Sequence, residues 1–236
     1  MGKSKQYRIG ILGGMGPEAG VLLQQLIIQY TPAEKDQEHI EVITYTNPHI
    51  PDRTKSLTMD SGKSYQQAVI ESLQLLEKTG VDILVIACNT AHARLPEIKK
   101  YIKTPILNIV DLANQEISNT QGRVGIIATD GTINSNLFGI PSHPEKTIVP
   151  NRENQTIVMQ VILDIKKGSK DKSIIDRLEK IGKELLQEGG MKLILGCTEL
   201  SIMYPELYTR LGNIFIDPLR LAAQTLVNMA QRNSAI

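Results

Sequence analysis

The sequence predicts an α/β protein built from two copies of one αβ unit with parallel-type sheets. Three observations carry this. Short apolar runs alternate with amphipathic stretches along the 236 residues, the pattern of a parallel sheet covered by helices. Arg8-Ile9-Gly10-Ile11 returns as Arg123-Val124-Gly125-Ile126 and Cys88 returns as Cys197, at offsets of 115 (8 to 123) and 109 (88 to 197). Ile109-Val110-Asp111 and Phe215-Ile216-Asp217 follow in the same order, offset by 106 (111 to 217). Segments repeated in order with slowly drifting spacing point to two copies of one unit.

The elements follow in turn. Arg8 to Leu12 reads as the first strand, followed by a glycine turn and a helix opening at Pro17, which needs no amide hydrogen at a first helical position. Glu41 to Thr46 is a second strand, and a helix through Val69, Leu73 and Leu76 stops at Gly80. Val81 to Ala87 and Pro105 to Val110 complete the first sheet. Arg123 to Ile127 opens the second, helices fill about 151 to 188, and strands follow at Met191 to Leu195 and Asn213 to Ile216. The expected division is 1–117 for the first domain, with Cys88, and 118–217 for the second, with Cys197. The last helix, 218–236, is expected to pack back on the first domain.

Composition narrows the function. Net charge is +1, aromatics are 4% of the chain, and the cations are scattered, so no nucleic-acid surface is expected. The segment Met1 to Gln6 is too short and polar for a signal peptide, and no apolar run is long enough to span a bilayer. The expected location is the cytoplasm, where two distant cysteines are free thiols more often than a disulfide. His39, His49, His92 and His143 lack metal-ligand spacing and read as surface or supporting residues.

The cysteines carry the strongest chemical signal. Ile83 to Ala87 runs into Cys88-Asn89-Thr90, and Leu193 to Gly196 runs into Cys197-Thr198-Glu199. Residues just past the carboxyl ends of parallel strands lie where ligands bind. A helix beginning directly after each would favour a thiolate through its dipole. Facing thiols on opposite sides of one cleft suit inversion of an α-carbon, in which one group removes a proton and the other returns one. The developing carbanion needs hydrogen-bond donors and a dry site, and Asn89, Thr90 and Thr198 are suitable donors. The bland alternative is a pair of buried cysteines acting as small hydrophobes.

Gly13-Gly14-Met15-Gly16 matches a dinucleotide fingerprint only weakly, because the next strand ends in Thr46-Asn47 without an acidic residue for a ribose. The turn, with Met15, instead lets backbone approach a small substrate. Arg53, in a loop stiffened by Pro48 and Pro51, is either a carboxylate clamp or a solvated arginine. Lys166 and Lys167 sit at a helix end that favours cations in any case.

Together Ile11-Leu12-Gly13-Gly14-Met15-Gly16-Pro17, Asn47-Pro48-His49-Ile50-Pro51-Asp52-Arg53-Thr54, Cys88-Asn89-Thr90-Ala91-His92 and Gly196-Cys197-Thr198-Glu199 resemble the aspartate racemase branch of the aspartate/glutamate racemase superfamily. The resemblance implies two similar αβα domains related by a pseudo-twofold axis, with the active site in the cleft between them. It also implies racemisation of a dicarboxylic amino acid without pyridoxal phosphate, metal or other cofactor, with Cys88 and Cys197 as the acid–base pair, and a homodimer. It places Arg53, Thr54, Lys55 and Ser56 in one substrate-binding loop and Asn89, Thr90 and Ala91 in another. Lys166 becomes the second substrate cation, with Lys167 as a competitor, and Met15, Thr198 and Glu199 complete the expected contacts. Glu199 and the Gly-Gly-Met turn depart from the glutamate racemase pattern. Broad-specificity racemases share both features, so that reading stays open. Hydantoin racemase, maleate isomerase and a non-catalytic module for acidic metabolites remain as alternatives.

Overall fold

The structure is a computed structural model that describes residues 7–140, 143, 145–169 and 171–234; Met1 to Gln6, read above as no signal peptide, lie outside them. In chain order the elements are β1 (Arg8–Gly13), α1 (Pro17–Tyr30), β2 (Glu41–Thr46), α2 (Arg53–Asp60), α3 (Lys63–Glu77), β3 (Ile83–Ile86), α4 (Leu95–Ile98), β4 (Ile106–Leu107) and α5 (Ile109–Asn119). There follow β5 (Arg123–Ile127), α6 (Asp130–Asn134), β6 (Thr147–Ile148), α7 (Arg152–Lys166), α8 (Lys172–Gln187), β7 (Gly190–Leu195), α9 (Tyr204–Leu211), β8 (Phe215–Ile216) and α10 (Pro218–Ser234).

Two four-stranded sheets form, in the orders β2-β1-β3-β4 and β6-β5-β7-β8, and every pairing is parallel. The order is the same in both halves, as the internal repeat predicts. A local detail confirms it. A Cβ on Gly10 would lie 2.9 Å from Leu84 Cδ2, and one on Gly125 would lie 2.7 Å from Leu193 Cδ2. The Arg-x-Gly-Ile segments therefore keep glycine because a leucine of the neighbouring central strand presses on that position in each sheet.

Alternation along the strands divides the core. Ile9 and Ile11 of β1, with Val124 and Ile126 of β5, point into one shared cluster that includes Leu219, Ala223 and Leu226 of α10. Leu12 points the other way, onto Val69, Leu73 and Leu76 of α3. Ile127 and Leu195 likewise meet Val158, Ile162, Leu178 and Ile181 of α7 and α8. Helix α10 packs on α1 and α5. Each fully buried Leu or Ile contributes about 1.5–3 kcal/mol, so the shared cluster is a strong tie between the two sheets.

Three readings change. Residues 105–110 were expected to be one strand, but β4 ends at Leu107 and Asn108 caps α5, its side chain accepting from the amides of Val110 and Asp111. The pairing of Asp111 with Asp217 therefore fails, since Asp111 lies in the first turn of α5 while Asp217 stands between β8 and α10. Matching β4 with β8 gives an offset of 109 (106 to 215), the same as for the cysteines. Finally, Arg53 does not lie in a loop. It opens α2, whose N-cap Asp52 accepts from the Lys55 amide at 2.9 Å.

Candidate active site

With this strand order, the chain reverses direction across each sheet between β1 and β3, and again between β5 and β7. A crevice opens at the carboxyl ends of such strand pairs. Met15 follows β1, Cys88 follows β3, Thr129 follows β5 and Cys197 follows β7. All four line one cavity, together with Asp52, Arg53, Thr54, Asn89, Thr90, Lys166, Thr198 and Glu199. Lys55, Ser56 and Ala91 are not part of this lining: Lys55 is exposed to solvent. Ser56 instead bonds Asp60 and Ser64 within the α2–α3 corner, and Ala91 is core.

The strand ends are drawn together by crossed hydrogen bonds. Asn89 Nδ2 donates to the Leu195 carbonyl at 3.5 Å, and Thr198 Oγ1 donates to the Ala87 carbonyl at 3.3 Å. Thr90 Oγ1 lies 3.1 Å from Thr129 Oγ1 and 2.8 Å from Thr132 Oγ1. The donors expected to face a carbanion are thus first engaged in holding the two halves. Thr129 was not anticipated from the sequence. Its signal was the N-cap position, since its hydroxyl accepts from the Thr132 amide at the start of α6.

Both cysteines are free thiols, each 5% exposed. No α-helix begins directly after either; short 3-10 turns, Thr90–Arg94 and Leu200–Met203, intervene. The expected dipole stabilisation of a thiolate is correspondingly weak. Around Cys197 the balance runs the opposite way: burial first, then the Glu199 carboxylate, raise its pKa well above the ordinary thiol value, with Lys166 opposing. The thiol donates to Glu199 Oε2 at 2.8 Å. Glu199 Oε1 accepts from the Gly16 amide at 2.7 Å and lies 3.8 Å from Lys166 Nζ. Burial acts to lower the pKa of Lys166, but Glu199 and then the cysteines outweigh it, and the net shift is upward. Lys166 is therefore a persistent cation in the cavity wall.

Arg53 is buried, and its Nη1 and Nη2 hold the carbonyls of Ile50, Pro51 and Met15 at 2.9–3.2 Å. Its Nε has no hydrogen-bond partner, and neither does Asn89 Oδ1. Unpaired buried polar atoms are costly, and here a donor and an acceptor are both left unpaired by residues of one cavity. Beside Cys88, His92 is buried with its Nδ1 2.8 Å from the Cys88 carbonyl oxygen. His49 and His143 are exposed.

The cavity is nearly filled, at about 10 Å³, room for about one water. Helices α2 and α6 shut it from one side. A Cβ on Gly131 would lie 2.6 Å from Thr54 Oγ1 and 3.0 Å from Thr54 Cα, so this contact across the cleft depends on glycine. Among the described residues no cluster of three or more His, Cys, Asp or Glu is placed to hold a metal, and no helix is long and apolar enough to cross a membrane.

Two matched parallel-sheet units with a small polar cavity between their strand ends define a two-lobed α/β protein with a cleft for a small molecule. The chain belongs to the Asp/Glu/hydantoin racemase family, whose sequence pattern matches residues 12–226; racemases are isomerases. It is 26% identical over 227 residues to the broad-specificity amino-acid racemase RacX of Bacillus subtilis, covering 93% of this chain and 96% of that one. A glutamate racemase of Actinobacillus pleuropneumoniae is 31% identical over 160 residues, 65% of this chain and 59% of that enzyme. Among solved structures, an aspartate racemase from Picrophilus torridus superposes with a TM-score of 0.81 at 28% identity, covering 95% of this chain and 94% of that one.

Proposed function

We propose that this chain racemises an acidic amino acid, aspartate foremost, by a two-base mechanism using Cys88 and Cys197. The observation that carries the proposal is the placement of both free cysteines in one cavity, each just beyond the equivalent strand of its own sheet. A zwitterionic amino acid supplies what the unpaired groups lack. Its carboxylate accepts from Arg53 Nε, and its ammonium donates to Asn89 Oδ1. A second carboxylate is matched by Lys166.

The surroundings of Cys197 set the starting state. Cys197 is protonated and hydrogen-bonded to Glu199, so it begins as the acid and Cys88 acts as the base. Cys88 Sγ takes the α-proton from one face, and Cys197 delivers its own proton to the other. In the reverse direction the roles exchange: Cys197, left as the thiolate once its proton is delivered, takes the α-proton, and Cys88 returns the proton it holds. The small, nearly filled cavity strengthens each of these interactions and limits solvent around the carbanion.

Broad specificity is a second reading, favoured by the near full-length similarity to the Bacillus subtilis enzyme. Chiral chromatography of aspartate, glutamate and neutral amino acids incubated with the purified protein separates the two. Turnover confined to the acidic amino acids, with aspartate fastest, supports the first reading; comparable turnover of neutral ones supports the second. The homodimer suggested by the family resemblance is tested by sedimentation of the same protein.

A further inference from the structure

Helix α3 turns one buried face to the first sheet, through Tyr65, Val69, Leu73 and Leu76 at helical spacing. Three of these are aliphatic. The fourth, Tyr65, is fully buried, yet among the described residues its hydroxyl has no hydrogen-bond partner. A buried hydroxyl left unpaired costs stability that a phenylalanine in the same place would not. The ring is held from the side as well. A Cβ on Gly62 would lie 2.9 Å from Tyr65 Cε1 and 3.0 Å from Arg94 Cγ. Gly62 also has a φ of 81°, so the corner where ring and arginine stem press on one residue accepts only glycine.

Tyr65 and Cys88 belong to one buried cluster, with Met15, Ile50, Ala91 and Leu95. Helix α3 packs on both β3 and the turn Thr90–Arg94, the two segments that flank Cys88. Cys88 lines the cavity and Tyr65 does not, so the phenol approaches the cysteine from within the core. Burial, and then the Cys88 thiol, hold the phenol well above its ordinary pKa; Arg94 and Arg53 oppose, and Glu97 adds to the rise. Tyr65 is therefore a neutral O–H donor near neutral pH. Of its two neighbours that can be negative, Cys88 acts on it more strongly than Glu97. Glu97 Oε2 is also unpaired, but its Oε1 holds Arg94 at 3.5 Å and a third of its side chain is exposed.

What Cys88 needs matches what Tyr65 offers. As a base it carries a negative charge at 5% exposure, and the short turn after it supplies little helix dipole. Lys166 and Cys197 feel that charge from the cavity. A buried thiolate is disfavoured unless donors replace the hydrogen bonds that water would make.

Resting on the racemase reading above, we propose that Tyr65 is a positioning residue for Cys88, whose hydroxyl turns onto the sulfur and donates a hydrogen bond when Cys88 is a thiolate. The bond is released when Cys88 takes the α-proton. The phenol keeps its own proton throughout and does not touch the substrate.

The test is Tyr65→Phe, which removes the hydroxyl and keeps the ring. With Cys197→Ala in the background, Cys88 is the only cysteine left, and the pH midpoint of its alkylation by iodoacetamide reads the thiolate. Tyr65→Phe is expected to raise that midpoint by about one pH unit. With both cysteines present, kcat for aspartate at about pH 7 should fall about tenfold while KM stays within about twofold. The acidic limb of the kcat profile should move up by the same amount. Urea unfolding should find Tyr65→Phe at least as stable as wild type, because an unpaired buried hydroxyl has gone. A purely structural tyrosine would move neither the midpoint nor the kcat profile. An unchanged Cys88 midpoint overturns the proposal. A loss of stability with an unchanged midpoint also overturns it, and gives the hydroxyl to a structural partner such as Glu97. A wild type inactive on every amino acid removes the racemase reading instead, and the alkylation midpoint alone then decides whether Tyr65 serves Cys88.

Discussion

His92 links acidity to the stability of the wall that carries Cys88. Its ring is 3% exposed, and because a carbonyl only accepts, the 2.8 Å contact with the Cys88 oxygen places the imidazole proton on Nδ1. The other nitrogen, Nε2, is buried without a hydrogen bond, and the Asp111 charge and the Leu107 backbone only partly favour a second proton on the ring. Burial, opposed by the Cys88 carbonyl, lowers the pKa from an ordinary 6.5 to about 4. The unfolded chain binds this proton near 6.5 and the folded chain only near 4. Stability from the neutral ring is therefore present above pH 6.5 and is lost as pH falls toward 4. At about pH 5 the difference is about 1.5 units at 1.36 kcal/mol each, or about 2 kcal/mol. His92→Gln keeps an amide donor for the Cys88 carbonyl and does not titrate. Urea unfolding of both proteins at about pH 7.5 and about pH 5 isolates the effect, since all other titrations are common to the two. The wild type should lose about 2 kcal/mol more than His92→Gln on acidification. Equal losses would refute the buried neutral ring.

Three further substitutions probe the cleft. Arg53→Ala strips a donor from the carbonyls of Met15, Ile50 and Pro51, so urea unfolding should show a loss of about 2–3 kcal/mol. Calorimetry should also show weakened aspartate binding, and an unchanged affinity would remove Arg53 from the site. Gly131→Ala places a methyl against Thr54 and should destabilise the protein by about 1–3 kcal/mol through overpacking; undiminished stability would show that α2 and α6 do not meet as described. Glu199→Gln removes a carboxylate that raises the Cys197 pKa, so the pH midpoint for alkylation of Cys197, measured in a Cys88→Ala background, should fall. A midpoint that stays or rises contradicts the assigned role of Glu199.

The parts of this fold legible in the sequence are those set by apolar periodicity. The boundaries of β2 and β5 were read to the residue, and the duplicated Arg-x-Gly-Ile strands and strand-end cysteines fall where the repeat put them. Errors came where a single polar residue ended an apolar run. Ile109 and Val110 look like strand, yet the Asn108 cap starts a helix there. The two prolines before Arg53 suggest a loop, whereas Asp52 caps a helix that starts there. In the cleft, residue types and the repeat located the cysteines, the family resemblance pointed to Arg53 and Lys166, and the electrostatics of all four were hidden. That Glu199 holds the Cys197 thiol, that Lys166 lines the cavity and Lys167 does not, and that Thr129 joins from the other sheet depend on tertiary geometry that periodicity does not encode.

The central claim, two thiols on opposite faces of one α-carbon, is tested most directly by the isotope pattern at early turnover of L-aspartate in deuterated water under reducing conditions. The account predicts that D-aspartate appears carrying deuterium at the α position while the remaining L-aspartate still carries protium, and that Cys88→Ser and Cys197→Ser each abolish this product. Protium carried over into D-aspartate, or full activity in either variant, would mean that a single base serves both faces and would contradict the account.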